Sequence, residues 1–119
     1  MDLQHHRILV VEDEILIALE LRDELLDAGA QVIGPALSVP AALRLIEEKK
    51  PTAAILDVWL GTEDSLVIVH RLEALGVPFV LHTGHFTGGL PRDWPQVLVI
   101  KKPASRQALL AAIASLPKR

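Results

Sequence analysis

The chain has 119 residues, with 15 acidic side chains against 12 Lys plus Arg and a formal net charge of -3. That length suits a single domain over residues 1–119, and a composition that is 50% hydrophobic and 23% charged supplies a core and excludes intrinsic disorder. The lack of cysteine excludes disulfides, thiolate zinc sites and thiol nucleophiles. Lys and Arg form no cluster, so neither nucleic acid nor an anionic membrane is an expected partner. No apolar run approaches the ~18 residues of a membrane span. The first residues, with Asp2, His5 and His6, do not read as a signal peptide, which makes the cytoplasm the expected location.

In chain order, the first apolar run is 8–11, followed at once by Glu12, Asp13 and Glu14. It is continuous rather than alternating, as a strand reads when both its faces are buried in a parallel sheet. Ala18, Leu21, Leu25 and Ala28 then recur at helical spacing, and Gly29 stands where a C-terminal cap is expected. A weaker run, 31–33, ends at Gly34-Pro35 and suits an edge strand. A second helical stripe comprises Val39, Leu43 and Ile46, with Ser38 as N-cap and Lys49, Lys50 and Pro51 closing it. The run 53–56 leads directly into Asp57. Ile68, Leu72 and Leu75 make a third helix ended by Gly76, and 77–81 a further strand leading to His82 and Thr83. Gly88, Gly89, Pro91 and Pro95 crowd the connection 84–96, so its helix is expected to be short or absent. A last strand, 97–100, runs into Lys101, Lys102 and Pro103, and Leu109, Ile113 and Leu116 mark the final helix.

Strands alternating with helices imply right-handed crossovers and a doubly wound α/β domain, a five-stranded parallel sheet with helices on both faces. In such a sheet ligands bind outside the carboxyl ends of the strands. Those ends carry Glu12 and Asp13, Asp57, Thr83, and Lys101 and Lys102. Helix capping is the plain structural reading of Glu12, Asp13 and Glu14. Asp57 resists such a reading: it follows buried Ile55 and Leu56, and near Asp13 it would meet like-charge repulsion unless a cation intervenes.

Val10-Val11-Glu12-Asp13-Glu14, Ile55-Leu56-Asp57-Val58, Thr83-Gly84 and Lys102-Pro103, on successive strands, resemble the receiver domain of two-component response regulators. The resemblance covers essentially the whole chain. It implies a flavodoxin-like strand order 2-1-3-4-5 and a phospho-accepting signalling domain rather than an enzyme. Asp57 would be the phospho-acceptor and Asp13 a direct Mg²⁺ ligand, with the Trp59 backbone carbonyl completing the protein's share and Glu12 in the outer shell. Thr83 would follow the phosphoryl group, and Lys102, the lysine that precedes proline, would supply the ammonium. The implied partners are a histidine kinase or histidine phosphotransfer protein as donor, and a downstream protein or a second copy reached through the last strand and helix. A carboxylate can accept a phosphoryl group as an acyl phosphate, and two carboxylates with one carbonyl are a normal protein contribution to a magnesium shell.

Three departures from the family pattern stand out. Val99 takes the usual aromatic position three before the lysine, which removes the aromatic rotamer switch. Leu60-Gly61 replaces the frequent Met-Pro and is expected to loosen that loop. The run Phe79-Val80-Leu81-His82-Thr83-Gly84-His85 is similar to the FAT GUY subgroup, in which the fourth helix is reduced, although His82 stands where that subgroup prefers Ala. His85 is placed to tune the site. No charge occurs from 107 to 117, so Leu110, Ala111 and Ala114 are expected to lie partly exposed beside Val99, Phe86 and Trp94 as an output surface. The competing readings are a phosphorylation-independent pseudo-receiver that binds proteins, and a flavodoxin-like cofactor binder, disfavoured by 3% aromatic content and the absence of a phosphate loop. Adjacent His5 and His6, and His82 with His85, lack the ligand number of a zinc site. The ending at Leu116-Pro117-Lys118-Arg119 suits a complete single-domain regulator and a trimmed chain equally well.

Overall fold

The computed structural model describes residues 3–84 and 98–117. Five strands form one sheet in the order β2-β1-β3-β6-β7, every neighbouring pair parallel: β1 (Arg7–Val11), β2 (Gln31–Ala36), β3 (Ala53–Leu56), β6 (Phe79–Thr83) and β7 (Leu98–Lys101). This is the expected order 2-1-3-4-5 once a small hairpin, β4 (Trp59–Leu60) with β5 (Glu63–Asp64), takes two labels. All residues of β3 and β6 are buried, as are all of β1 except Arg7. Helices cover both faces, which favours apolar side chains on each, so these strands read as apolar runs until β6 reaches His82 and Thr83 at its carboxyl end.

The pleat sends alternate residues to opposite faces. Leu9, Val11, Leu56 and Leu81 join α2 (Val39–Lys49) and α3 (Leu66–Ala74) in one apolar cluster through Ile46 and Leu72. Ile8, Val10, Ile55 and Val80 join α1 (Ile15–Asp27) and α4 (Arg106–Ala114) in the other through Leu25 and Ile113. The caps are local chemistry. Ser38 Oγ accepts from the Ala41 N–H at 3.3 Å, Ser105 Oγ accepts from the Ala108 N–H at 3.0 Å, and α2 ends at Lys50 in the left-handed region, φ 49°. No helix among the described residues is long and apolar enough to cross a membrane.

The structure differs from the sequence expectation in several places. β2 does not stop at residue 33: it continues to Ala36 through a register shift, with Leu9 opposite Ile33 but Val11 opposite Ala36. Pro35 is tolerated because β2 is an edge strand and the extra residue forms a bulge. The strand expected at 77–81 runs instead from Phe79 to Thr83, carrying His82 and Thr83 into the sheet. Leu110 is buried, 8% exposed, rather than part of an open surface. α4 presses so broad a face on the sheet that Leu109, Leu110, Ala112 and Ile113 all turn inward, leaving Ala111 and Ala114 exposed. Val99 is half-buried and packs against the α2/α3 cluster. His85, Phe86, Trp94 and the stretch expected to lack a full helix lie outside the described residues.

Gly34 makes the β2 bulge possible. Its φ is +90°, and a Cβ there would sit 2.6 Å from the Ala36 backbone nitrogen and 3.2 Å from the Val10 carbonyl oxygen. Gly34→Ala therefore combines a left-handed penalty with a clash against backbone that cannot rotate away, and urea unfolding should show a loss of about 2 kcal/mol or more. A change within about 0.5 kcal/mol, the range of a neutral surface substitution, would refute that account.

Candidate functional site

Because all five strands run the same way, their carboxyl ends form one rim. β1 ends at Val11 and presents Glu12 and Asp13, β3 presents Asp57, β6 ends on Thr83, and β7 leads through Lys101 to Lys102. The structure brings Asp13, Asp57, Trp59, Thr83 and Lys102 to one cleft of about 270 Å³, which Glu14, Gly61 and Gly84 also line. Glu12 lies behind it, 1% exposed. Carboxylate oxygens of Glu12, Asp13 and Asp57 come within 4.8 Å of one another.

Lys102 holds this acidic cluster together. Its Nζ donates to Asp57 Oδ2 at 2.7 Å and also to Glu12 Oε1. Asp57 is 9% exposed, so the ammonium is the intervening cation that two nearly buried carboxylates require. Burial pushes the Glu12 carboxyl above the usual carboxylate range, opposed by its hydrogen bonds from Lys102 and the Glu14 N–H. For Lys102 burial works against the charge, yet the hydrogen bonds to Asp57 and Glu12 outweigh it and hold the ammonium above the usual lysine range. Lys101 is exposed at the end of β7. Of the capping interpretation of the first acidic run, Glu14, the N-cap of α1, makes no side-chain cap bond, whereas Glu12 Oε2 accepts the Glu14 N–H at 3.2 Å.

The segment after Asp57 is folded back onto it. Trp59 N–H donates to Asp57 Oδ1 at 3.4 Å, and the Gly61 N–H donates to Asp13 Oδ2 at 2.7 Å. Fully buried Ser65 donates from Oγ to the Asp57 carbonyl at 2.6 Å and from N–H to the Val58 carbonyl at 2.8 Å. Ser65 is the N-cap of α3, but its hydroxyl is spent on Asp57, and Asp64 Oδ1 accepts from the Leu66 N–H instead. Sequence reasoning passed over Ser65 and the donor role of Gly61. A serine opening a helix reads as a cap, and a backbone N–H leaves no mark in composition.

His82 precedes Thr83 on β6 and is 6% exposed; among the described residues its Nδ1 has no hydrogen-bond partner. Burial, with Lys102 nearby, lowers its pKa from 6.5 to about 4. The unfolded chain therefore takes up this proton at a higher pH than the fold does. The associated destabilisation is absent above pH 6.5, grows as pH falls toward about 4, and then levels off. His82→Met should flatten stability against pH in that window, measured by urea midpoints from pH 7.5 to 4; parallel curves for the two proteins would show that His82 does not titrate this way. Ser65→Ala leaves the Asp57 carbonyl without its donor and should cost about 1–3 kcal/mol, read by the same unfolding measurement.

No protein-family model matches the chain. It is 30% identical over 111 residues to the transcriptional regulatory protein PdtaR of Mycobacterium tuberculosis, a match covering 90% of this chain and 54% of that one. The chain thus spans about half the length, or less, of the curated relatives it matches. Among solved structures, SdrG from Sphingomonas melonis Fr1 is 36% identical at TM-score 0.79, covering 91% of this chain and 92% of that one. The receiver domain of the response regulator PhyR from Erythrobacter litoralis shares the fold at TM-score 0.82 and 23% identity, over 92% and 87% of the two chains. With sheet order, rim residues and relatives in agreement, the chain belongs to the receiver domains of response regulators.

Proposed function

We propose that this receiver takes a phosphoryl group from a phosphohistidine donor onto Asp57 in a Mg²⁺-dependent reaction and signals through protein contacts. The observation that carries the reading is Lys102 Nζ seated between Asp57 and Glu12 in a cleft that also holds Asp13 and Thr83. A structural ion pair needs neither the exposed third carboxylate nor the hydroxyl.

The donor set suits magnesium, a hard cation that favours carboxylate and carbonyl oxygens and keeps several waters. Asp13, Asp57 and the Trp59 carbonyl would hold it, with Glu12 in the outer shell, and when bound it would neutralise charge on the transferring phosphoryl group. In the transfer an Asp57 carboxylate oxygen forms the new bond to phosphorus while the phosphorus–nitrogen bond of the donor breaks, and that bonding pair stays on the imidazole. Lys102 supplies positive charge beside the oxygen that reacts. Thr83, at the end of β6, is the hydroxyl within the same cleft that can turn toward the new phosphoryl oxygens. Because Val99 replaces an aromatic side chain, the change would travel through the connection from Thr83 to residue 96 as a population shift. The donor would be a histidine kinase or phosphotransfer protein.

Incubation with Mg²⁺ and acetyl phosphate, followed by intact mass, should show one added phosphoryl group in the wild type and none in Asp57→Asn, which keeps shape and loses the nucleophile. Lys102→Ala should accept the group far more slowly. A wild type that stays unmodified while still binding a partner protein would establish the pseudo-receiver reading, and an adduct persisting in Asp57→Asn would move the acceptor elsewhere.

A further inference from the structure

Asp13 is exposed at the mouth of the cleft, where a free carboxylate on a short side chain would sample several rotamers. It does not stand free: one of its oxygens accepts the Gly61 N–H at 2.7 Å. Gly61 lies in the turn between β4 and β5 with φ +69°, and nothing lies within 4 Å of where its Cβ would be. Space therefore does not demand glycine here. The left-handed turn does, and that turn aims the N–H at Asp13. The hairpin is anchored at its far end as well, through the Ser65 hydrogen bonds to the carbonyls of Asp57 and Val58. The same short hairpin thus reaches both carboxylates, Asp57 at its root and Asp13 at its tip. A proline at position 61 would have no N–H to donate.

We propose that Gly61 is a positioning residue for Asp13: its backbone N–H fixes the carboxylate in the orientation from which it binds a divalent cation beside Asp57. This rests on the metal-binding part of the proposed function. Fixing the ligand before the cation arrives reduces the ordering that binding must pay for, in the manner of hydrogen bonds behind metal ligands generally. The replacement of Met-Pro by Leu60-Gly61 would then tighten the loop around Asp13, where the sequence alone suggests loosening.

The test is Mg²⁺ titration followed by two-dimensional amide NMR of the full chain, with Gly61→Pro, Gly61→Ala, Asp13→Ala and the double variant Gly61→Pro/Asp13→Ala. Gly61→Pro should weaken Mg²⁺ by about tenfold or more. Gly61→Ala keeps the donor and has room for its methyl group, and its left-handed strain is borne with and without the cation, so Mg²⁺ affinity should stay within about threefold of wild type. In the Asp13→Ala background the proline should change the residual affinity by less than about twofold, since coupled residues do not add. In the wild type without Mg²⁺ the Gly61 amide should be protected from hydrogen exchange, and Asp13→Ala should remove that protection. If proline weakens Mg²⁺ equally with and without Asp13, Gly61 acts on the loop as a whole and the proposal falls; an unprotected Gly61 amide would overturn it even if the proline variant failed to fold. A wild type that binds no Mg²⁺ would instead overturn the metal reading beneath it, a result distinct from either.

Discussion

One ammonium shared between two carboxylates holds the carboxyl edge of this sheet together. Lys102 follows β7, Glu12 follows β1 and Asp57 follows β3, so a single side chain ties three strand ends whose residues are 90 and 45 positions apart in the chain. Burial makes the arrangement mutually dependent. Stripping one partner from a buried ion pair costs about 3–5 kcal/mol, because the charge left behind keeps its desolvation penalty and loses its compensation. Lys102 cannot drift from this position either, since its own N–H donates to the Thr83 carbonyl at 2.9 Å.

The rest of the fold reads as a support for that edge. Parallel pairing aligns the strand ends, and two helical layers cover the strands beneath, so the polar groups at the rim sit on an apolar base. The gradient is steep: Glu12 is 1% exposed, Asp57 9%, and neighbouring Asp13 is open to solvent. The proposed function would use that gradient, the open carboxylate meeting a hydrated cation and the nearly buried Asp57 reacting beside it.

The sheet and the rim were legible in the sequence because burial on both sides leaves a distinctive trace. Unbroken apolar runs ending in Asp57, in Glu12 and Asp13, and in Lys101 and Lys102 give both the strand and its polar end. What escaped depends on contacts between residues that carry no joint pattern. β2 crosses Gly34-Pro35, normally a stop signal, because an edge strand can absorb a bulge. The β4–β5 hairpin pairs only two residues from each side, too few for any periodicity. Leu110 was misplaced because residues 107–117 carry no charge, and without a polar face the helical period cannot say how wide the buried face is. Ser65 looks like a cap by position and serves Asp57 by geometry.

The sheet also partitions the interior. Leu9 and Val11 belong to the chamber under α2 and α3, whereas Ile8 and Val10, their immediate neighbours in sequence, belong to the one under α1 and α4. Among the described residues no buried side chain is common to both chambers, so a change of side-chain volume in one need not be answered by repacking in the other. The shared element is backbone, above all β1 and β3 at the centre. Substitutions could therefore accumulate independently on the two sides over evolutionary time, one face adapting to new partners while the other preserves the frame on which the acidic edge is mounted.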